Sequence, residues 1–284
     1  MAHLRNAGCV EVPPVLASTI GDTLVADGQG RIWEGVGFVA GSATDRPSTA
    51  QAQAAARVVA RVHQAAATWP AAPSRIAVPA AVTRRIEQAR RMLTEPWEQG
   101  VFAGHQATGW QAEVAARKGL AAAIARDSEL DAILRGIAVL QPPPVAVQAV
   151  IRDLRADHVL YDRAEFDRVA GLVDFQAAAV DTPATDLARL LGSWRHQPAI
   201  GRSDASRAAL EAYATQRPLS ARERRLVGWL DATATVFSLD NWFRWVLAEG
   251  RRFEQPVQVV ERIDRLLEAL PEAVAWLRDD PGHV

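Results

Sequence analysis

The sequence predicts an α+β fold: a mostly helical body with a β-hairpin set into its middle and a short β segment at its start. Three observations carry this. Val159-Leu-Tyr161 and Val169-Ala-Gly-Leu-Val173 are short apolar runs flanking a charged turn, the pattern of a hairpin. Thr23-Leu-Val-Ala26 and Arg31 to Phe38 flank the Gly-rich turn Asp27-Gly-Gln-Gly30 in the same way. From Asp45 onward, most of the remaining chain repeats its apolar residues with helical spacing.

Taken in order, Leu4 to Ala7 reads as the end of a short helix, and Val12-Pro-Pro-Val15 forces an extended passage into the first hairpin. Ser48 is placed to cap a helix running to about Ala67, with Ala55, Val58, Val59 and Val62 on one face. His63 lies in that helix and is read as a packing or hydrogen-bonding residue, not a ligand. Pro70 to Pro73 is a loop, and Pro79 opens a helix to Leu93. Its Arg84, Arg85, Arg90 and Arg91 read as a solvated face in preference to a phosphate site. Further helices are expected over Gln106–Arg126 and, capped by Ser128, to Leu140. Gln141-Pro-Pro-Pro144 then acts as a stiff connector into the central hairpin.

Beyond Trp194 the pattern is helical again. Ser220-Ala-Arg-Glu223 has capping-box spacing, and its helix is expected to reach about Ala248. Trp242 and Trp245 share a face there. They read as a core seam in preference to a cation site built with Asp240. Pro256 opens a last helix carrying Val260, Ile263, Leu267 and Leu270, with Pro271 expected to close it.

Bulk properties narrow the function classes. A chain of 284 residues with 49% hydrophobic content has ample material for a packed core. A formal net charge of -1 gathers neither nucleic acid nor anionic membrane, so no partner of either kind is expected. Cys9 is the single cysteine, which excludes an internal disulfide and fits a reducing compartment. With no apolar run of spanning length and no signal-peptide pattern at the start, the expected location is the cytoplasm.

The central hairpin holds Asp153 just before its first strand and Asp174 just after its second. Two carboxylates distant in sequence then converge as phosphoryl transfer requires, one to accept a hydroxyl proton and one to hold magnesium on the phosphates. The segment Ile151-Arg-Asp-Leu-Arg-Ala-Asp-His158 resembles a kinase catalytic loop, and Leu172-Val-Asp-Phe175 resembles the metal motif that follows it. With Thr185-Asp-Leu-Ala188, this order is similar to the aminoglycoside phosphotransferase and choline kinase family of small-molecule kinases. The resemblance implies a protein kinase-like fold with a reduced N-terminal β lobe (residues 1–41) and a helical C-terminal lobe (42–284). It implies Asp153 as base, Asp174 and His158 as metal ligands, and Arg152 and Asp186 as supports of the catalytic loop. The first hairpin resembles the last two strands of the small lobe, which makes Phe38, Val39 and Ala40 the hinge whose backbone meets adenine. The implied cofactors are Mg2+ and ATP, and the implied partner is a small-molecule alcohol.

The sequence departs from the family in four places. Ile151 stands at the usual histidine and Gln176 follows Phe175. His158 replaces the usual asparagine, exchanging a hard oxygen ligand for an imidazole that prefers softer metals, or contacts phosphate if protonated. No Gly-rich loop or phosphate lysine precedes the hinge; Lys118, the chain's one lysine, reads as a solvated helix residue. Two classes therefore stay open: an ATP-dependent phosphotransferase, and a kinase-like binding protein that has lost nucleotide handling. A metallohydrolase built on His158 is disfavoured, because such sites usually recruit several histidines.

Overall fold

The computed structural model describes residues 1–97, 109–194 and 202–279. The chain divides into two compact units, Met1–Ala77 with Pro144–Glu223, and Val78–Pro143 with Arg224–Val284. Residues 1–41 lie within the first unit.

The first unit opens with helix α1 (Ala2–Asn6), tied down where His3 donates from Nε2 to the Ala65 carbonyl at 2.9 Å. The expected first hairpin forms as two separate ladders of two residues each. Strand β1 (Val15–Leu16) pairs with β4 (Gly35–Val36), and β2 (Val25–Ala26) pairs with β3 (Ile32–Trp33). The turn between β2 and β3 is fastened by Asp27, which accepts from Trp33 Nε1 at 3.0 Å and Arg31 Nε at 2.6 Å. These bonds hold its carboxyl down to about 2. Helix α2 (Thr49–Ala67) begins with a complete capping box, Ser48 and Gln51 each bonding the other's backbone N–H, and buries Ala55, Val58, Val59, Val62 and His63.

Strand β5 (Arg75–Ala77) leaves this unit. Chain enters it again as β6 (Val145–Val150), directly after the proline run. β6 is the centre of an antiparallel three-stranded sheet, flanked by β5 and by β9 (Ala179–Asp181). The central hairpin forms as expected, β7 (Val159–Tyr161) against β8 (Val169–Leu172), with Val159 opposite Leu172. The segment around the expected hinge docks onto it. Ser42 and Tyr161 exchange backbone bonds of 2.9 Å, and Leu172 donates its N–H to the Glu11 carbonyl at 2.8 Å. Gly171 is required by this approach, since a Cβ there would lie 2.6 Å from Val39 Cγ1. Helices α6 (Ala184–Ser193) and α7 (Arg202–Gln216) complete the unit, α7 packing along α2.

The second unit holds α3 (Ala80–Thr94), α4 (Trp110–Asp127), α5 (Leu130–Ala138), most of α8 (Ala221–Phe243) and α9 (Pro256–Asp279). The Ser220–Glu223 box caps α8, which ends in a π-helical turn over Arg244–Ala248. Residues 98–108, including the expected start of α4 at Gln106, lie outside the described residues.

Several expectations are corrected in this unit. Ser128 ends α4, its hydroxyl donating to the Ile124 carbonyl, and Glu129 in a left-handed conformation (φ 55°) precedes α5. Of the arginines of α3, Arg85 and Arg91 are half-buried in place of joining a solvated face, while Arg90 stays exposed. Arg85 donates to Thr233 Oγ1 at 2.7 Å, Arg90 to the Ala138 carbonyl at 2.9 Å, and Arg91 to Asp240 at 2.7 Å. Lys118 is buried, not solvated, and burial pushes its pKa down against the weaker pull of Asp240. Pro271 lies inside α9 and does not close it: Ala273, Val274 and Leu277 extend the buried stripe past it, and this burial outweighs one lost backbone bond. Trp242 and Trp245 meet edge to face with centroids 5.1 Å apart, and Arg251 covers Trp245 at 4.9 Å. Asp240 is buried and bonded to Arg91 and Trp97, so it offers no open carboxylate beside that pair. Among the described residues, no helix is long and apolar enough to cross a membrane.

Candidate active site

Strand β6, paired on both edges, delivers the chain at Ile151 to a fixed point. Asp186 takes over from there. Fully buried in the first turn of α6, where the helix dipole favours a carboxylate, it accepts the N–H of Ile151 at Oδ2 (2.8 Å) and of Arg152 at Oδ1 (2.6 Å). His63 approaches the same Oδ2 with Nε2 at 3.0 Å, and its Nδ1 lies 2.8 Å from the Tyr213 hydroxyl. Burial raises the Tyr213 pKa, so this phenol keeps its proton. The consistent arrangement has Tyr213 donating to His63 Nδ1 and His63 donating from Nε2 to Asp186. Three elements, α7, α2 and α6, thus hold two successive amides just before Asp153.

The loop is fixed on its far side as well. Leu154 is completely buried, and Ser193 Oγ accepts the Ala156 N–H at 2.8 Å. A 3₁₀ turn over Ala156–His158 brings the imidazole back over the loop, where His158 Nδ1 meets the Asp153 carbonyl at 2.7 Å. A carbonyl only accepts, so Nδ1 carries a proton, and in the neutral ring the lone pair for a ligand is that of Nε2. Val173 donates its N–H to the His158 carbonyl at 3.0 Å, which ties the end of β8 to this turn and sets Asp174 beside the imidazole, Oδ2 3.6 Å from Nε2.

Asp153, His158 and Asp174 each offer one ligand atom within 4.8 Å of the others. The side chains of Asp153 and Asp174 are 34% and 43% exposed, open enough to meet a ligand, while that of His158 is 10% exposed. Two carboxylates beside a free imidazole nitrogen suit a divalent cation, and two hard oxygens are the donors magnesium takes when phosphates and water complete its shell. Arg152 (φ 69°) and Asp174 (φ 62°) both hold left-handed conformations, backbone strain concentrated at the two ends of the set.

Two guanidinium groups adjoin this set. Arg155 donates from Nε to Asp157 at 3.0 Å; burial works against its charge, but Asp157, Asp153 and Asp174 outweigh burial and raise its pKa. Arg189 reaches Asp153 Oδ1 with Nε at 2.9 Å and Nη2 at 2.8 Å. Sequence reasoning passed over Arg189, although its spacing of three from Asp186 on α6 puts both on one helix face. Of the expected hinge residues, Val39 lies against Gly171, while the Phe38 side chain is 94% exposed and Ala40 is exposed.

A catalytic-loop hairpin braced by a buried aspartate, on a largely helical body, is a protein kinase-like phosphotransferase fold. The profile of the phosphotransferase enzyme family matches residues 1–225, and the chain belongs to that family. A homoserine kinase of Rhodopseudomonas palustris is 26% identical over 282 residues, covering 98% of this chain and 76% of that protein. A homoserine kinase of Methylocella silvestris is 28% identical over 212 residues, covering 74% of this chain; the matched stretch spans 57% of that relative. Among solved structures, a spectinomycin phosphotransferase in complex with ADP and spectinomycin aligns with a TM-score of 0.66 at 11% identity, over 97% of this chain and 81% of that one.

Proposed function

We propose that this chain transfers the γ-phosphate of ATP to the hydroxyl of a small-molecule alcohol. The observation that carries the reading is the convergence of Asp153, His158 and Asp174 within 4.8 Å on a loop whose amides are locked by a buried carboxylate. Asp153 accepts the proton of the acceptor hydroxyl. Oδ1 is taken by Arg189, which leaves Oδ2 for that hydroxyl. Asp174, with Nε2 of His158, would hold Mg2+, which when bound would supply positive charge against the phosphates. Arg155, whose charge is favoured by both carboxylates, offsets the negative charge gathering at the transferred group. Asp186 and the backbone of Arg152 fix the angle at which Asp153 meets the acceptor. Positioning of this kind is most of what such an enzyme supplies, since phosphoryl transfer leaves little covalent chemistry to the protein.

Residues 1–41 serve as a reduced nucleotide-side lobe, with the backbone of Phe38, Val39 and Ala40 set against the adenine. The relatives named as homoserine kinases make that hydroxy amino acid the first acceptor to try. The reaction belongs in the cytoplasm, where ATP is supplied.

The test is calorimetric titration of Mg–ATP into the 284-residue chain and into Asp174→Ala, followed by ADP release with a panel of alcohols. Binding that needs both Mg2+ and Asp174, with turnover lost in Asp153→Ala while Mg–ATP still binds, is the expected result. Full turnover by Asp153→Ala would remove the base assignment.

A further inference from the structure

We infer that Arg189 selects an acceptor carrying a carboxylate near its reacting hydroxyl; this rests on the phosphotransfer reading above. Arg189 donates from Nε to Asp153 Oδ1 and forms an ion pair with the same oxygen through Nη2, and among the described residues its Nη1 has no partner. The Arg189 side chain is about a third exposed, beside the carboxylate assigned to the acceptor hydroxyl. A planar cation with one arm bound to the base and the other free suits a carboxylate, which takes two parallel N–H bonds.

The same arrangement acts against the opposite class. An acceptor with a cationic head group would bring its charge next to Arg189, and of the nearby carboxylates Asp153 is held by Arg189, Asp157 by Arg155, and Asp174 is assigned to the metal. Repulsion of this kind excludes ligands as effectively as attraction admits them. A nucleotide phosphate is the other anion in such a site. Arg189, however, contacts Asp153, the residue assigned to the acceptor hydroxyl, and neither Asp174 nor His158, the residues assigned to the metal. The acceptor side is therefore assigned to Arg189.

The experiment compares L-homoserine with its uncharged carboxamide, and with choline and 1-amino-2-propanol, in wild type, Arg189→Gln and Arg189→Lys, reading ADP release. In wild type the carboxamide should show a KM higher by about 10- to 100-fold, the range for losing a charged hydrogen bond. Arg189→Gln should raise the homoserine KM to the carboxamide's, leave the KM for ATP unchanged, and be partly rescued in Arg189→Lys. Preference for the cationic alcohols would overturn the inference while leaving phosphotransfer intact. So would a fall in kcat shared by acid and amide, which marks a residue that only positions Asp153, or a raised KM for ATP. If no alcohol is turned over, the phosphotransfer reading fails, and calorimetric binding of homoserine decides Arg189 separately. Binding weakened in Arg189→Gln sustains the carboxylate site, and equal or absent binding removes it.

Discussion

Asp186→Asn is the sharpest perturbation of the catalytic loop, because it changes charge and hydrogen bonding with almost no change of shape. The carboxylate accepts three bonds, from Ile151 N at 2.8 Å, Arg152 N at 2.6 Å and His63 Nε2 at 3.0 Å, and is fully buried. An asparagine with its carbonyl at the Oδ2 position keeps Ile151 and His63 but turns an NH2 toward the Arg152 amide. One buried backbone donor is then left without an acceptor, which costs about 1–3 kcal/mol, and two bonds lose their charge assistance at roughly 1 kcal/mol each. The expected loss is about 3–5 kcal/mol, a large part of the ~5–15 kcal/mol that holds a typical domain.

Urea unfolding followed by tryptophan fluorescence reads this loss, and ADP release reads what happens to Asp153. A displacement of the base by about 1 Å lowers turnover on the order of 100-fold. Tyr213→Phe, which removes the O–H donated to His63 Nδ1, should be coupled to Asp186→Asn by about 0.5–3 kcal/mol in a double-mutant cycle. An Asp186→Asn protein that lost under about 1 kcal/mol and kept full turnover would refute the idea that this carboxylate sets the loop.

Three further outcomes are expected. His158→Asn replaces an imidazole by a hard oxygen, so Mg–ATP should bind more tightly, on the order of 10-fold, with any wild-type preference for Mn2+ reduced; calorimetry with each metal checks it, and unchanged affinity would take His158 out of the ligand set. Burial depresses the pKa of Lys118 below 10.5, so the folded chain sheds this proton before the unfolded chain does, and stability rises with pH between the lowered folded value and 10.5. Lys118→Met should flatten that rise in alkaline urea titrations; an unaltered slope would assign it to another group. Pro271 is exposed inside α9, so Pro271→Ala should stabilise by about 2 kcal/mol, from roughly 3 kcal/mol of helix preference less up to about 1 kcal/mol of added freedom in the unfolded chain. A lower melting temperature would instead show that Pro271 itself is needed by the packing of Leu270 and Val274.

What could be seen in the sequence was local chemistry. The cap at Ser48 and the capping box at Ser220 work through neighbours three residues away, and the central hairpin is fixed by its own apolar runs and turn, so these could be read directly. The positions of Asp153 and Asp174 at the two ends of that hairpin followed from the same pattern. Features decided by distant partners escaped. β5 and β9 are three residues long and are strands only because β6 lies between them. Lys118 sits on an alanine-rich helix with little amphipathic pattern, and its burial is set by packing that no local count of charges reveals. Arg189 shares a helix face with Asp186, but its partner Asp153 lies 36 residues earlier.

The buried network also bears on whether this chain does chemistry or only presents a surface. Buried polar groups of this kind are often replaced by apolar ones with no loss of stability. Asp186, His63 and Tyr213 form such a network, and its endpoint is two amides beside Asp153; left-handed Arg152 and Asp174 add strain of about 1–3 kcal/mol each. A helical binding surface has no use for either, whereas a base and a metal ligand held at a set angle need both. The phosphate side is built differently. Residues 1–41 contain no lysine, and Arg31 and Asp27 are engaged with each other, so little in that segment is left to hold a triphosphate. On the proposed function the load would fall on Asp174, His158 and the cation they would bind, and nucleotide affinity would depend on that cation more steeply than in a kinase with a phosphate lysine. Chelation with EDTA should therefore reduce ATP binding below calorimetric detection, not merely weaken it. ATP binding that survived EDTA would mean that a cation of the protein itself, Arg155 foremost, already supports the phosphates.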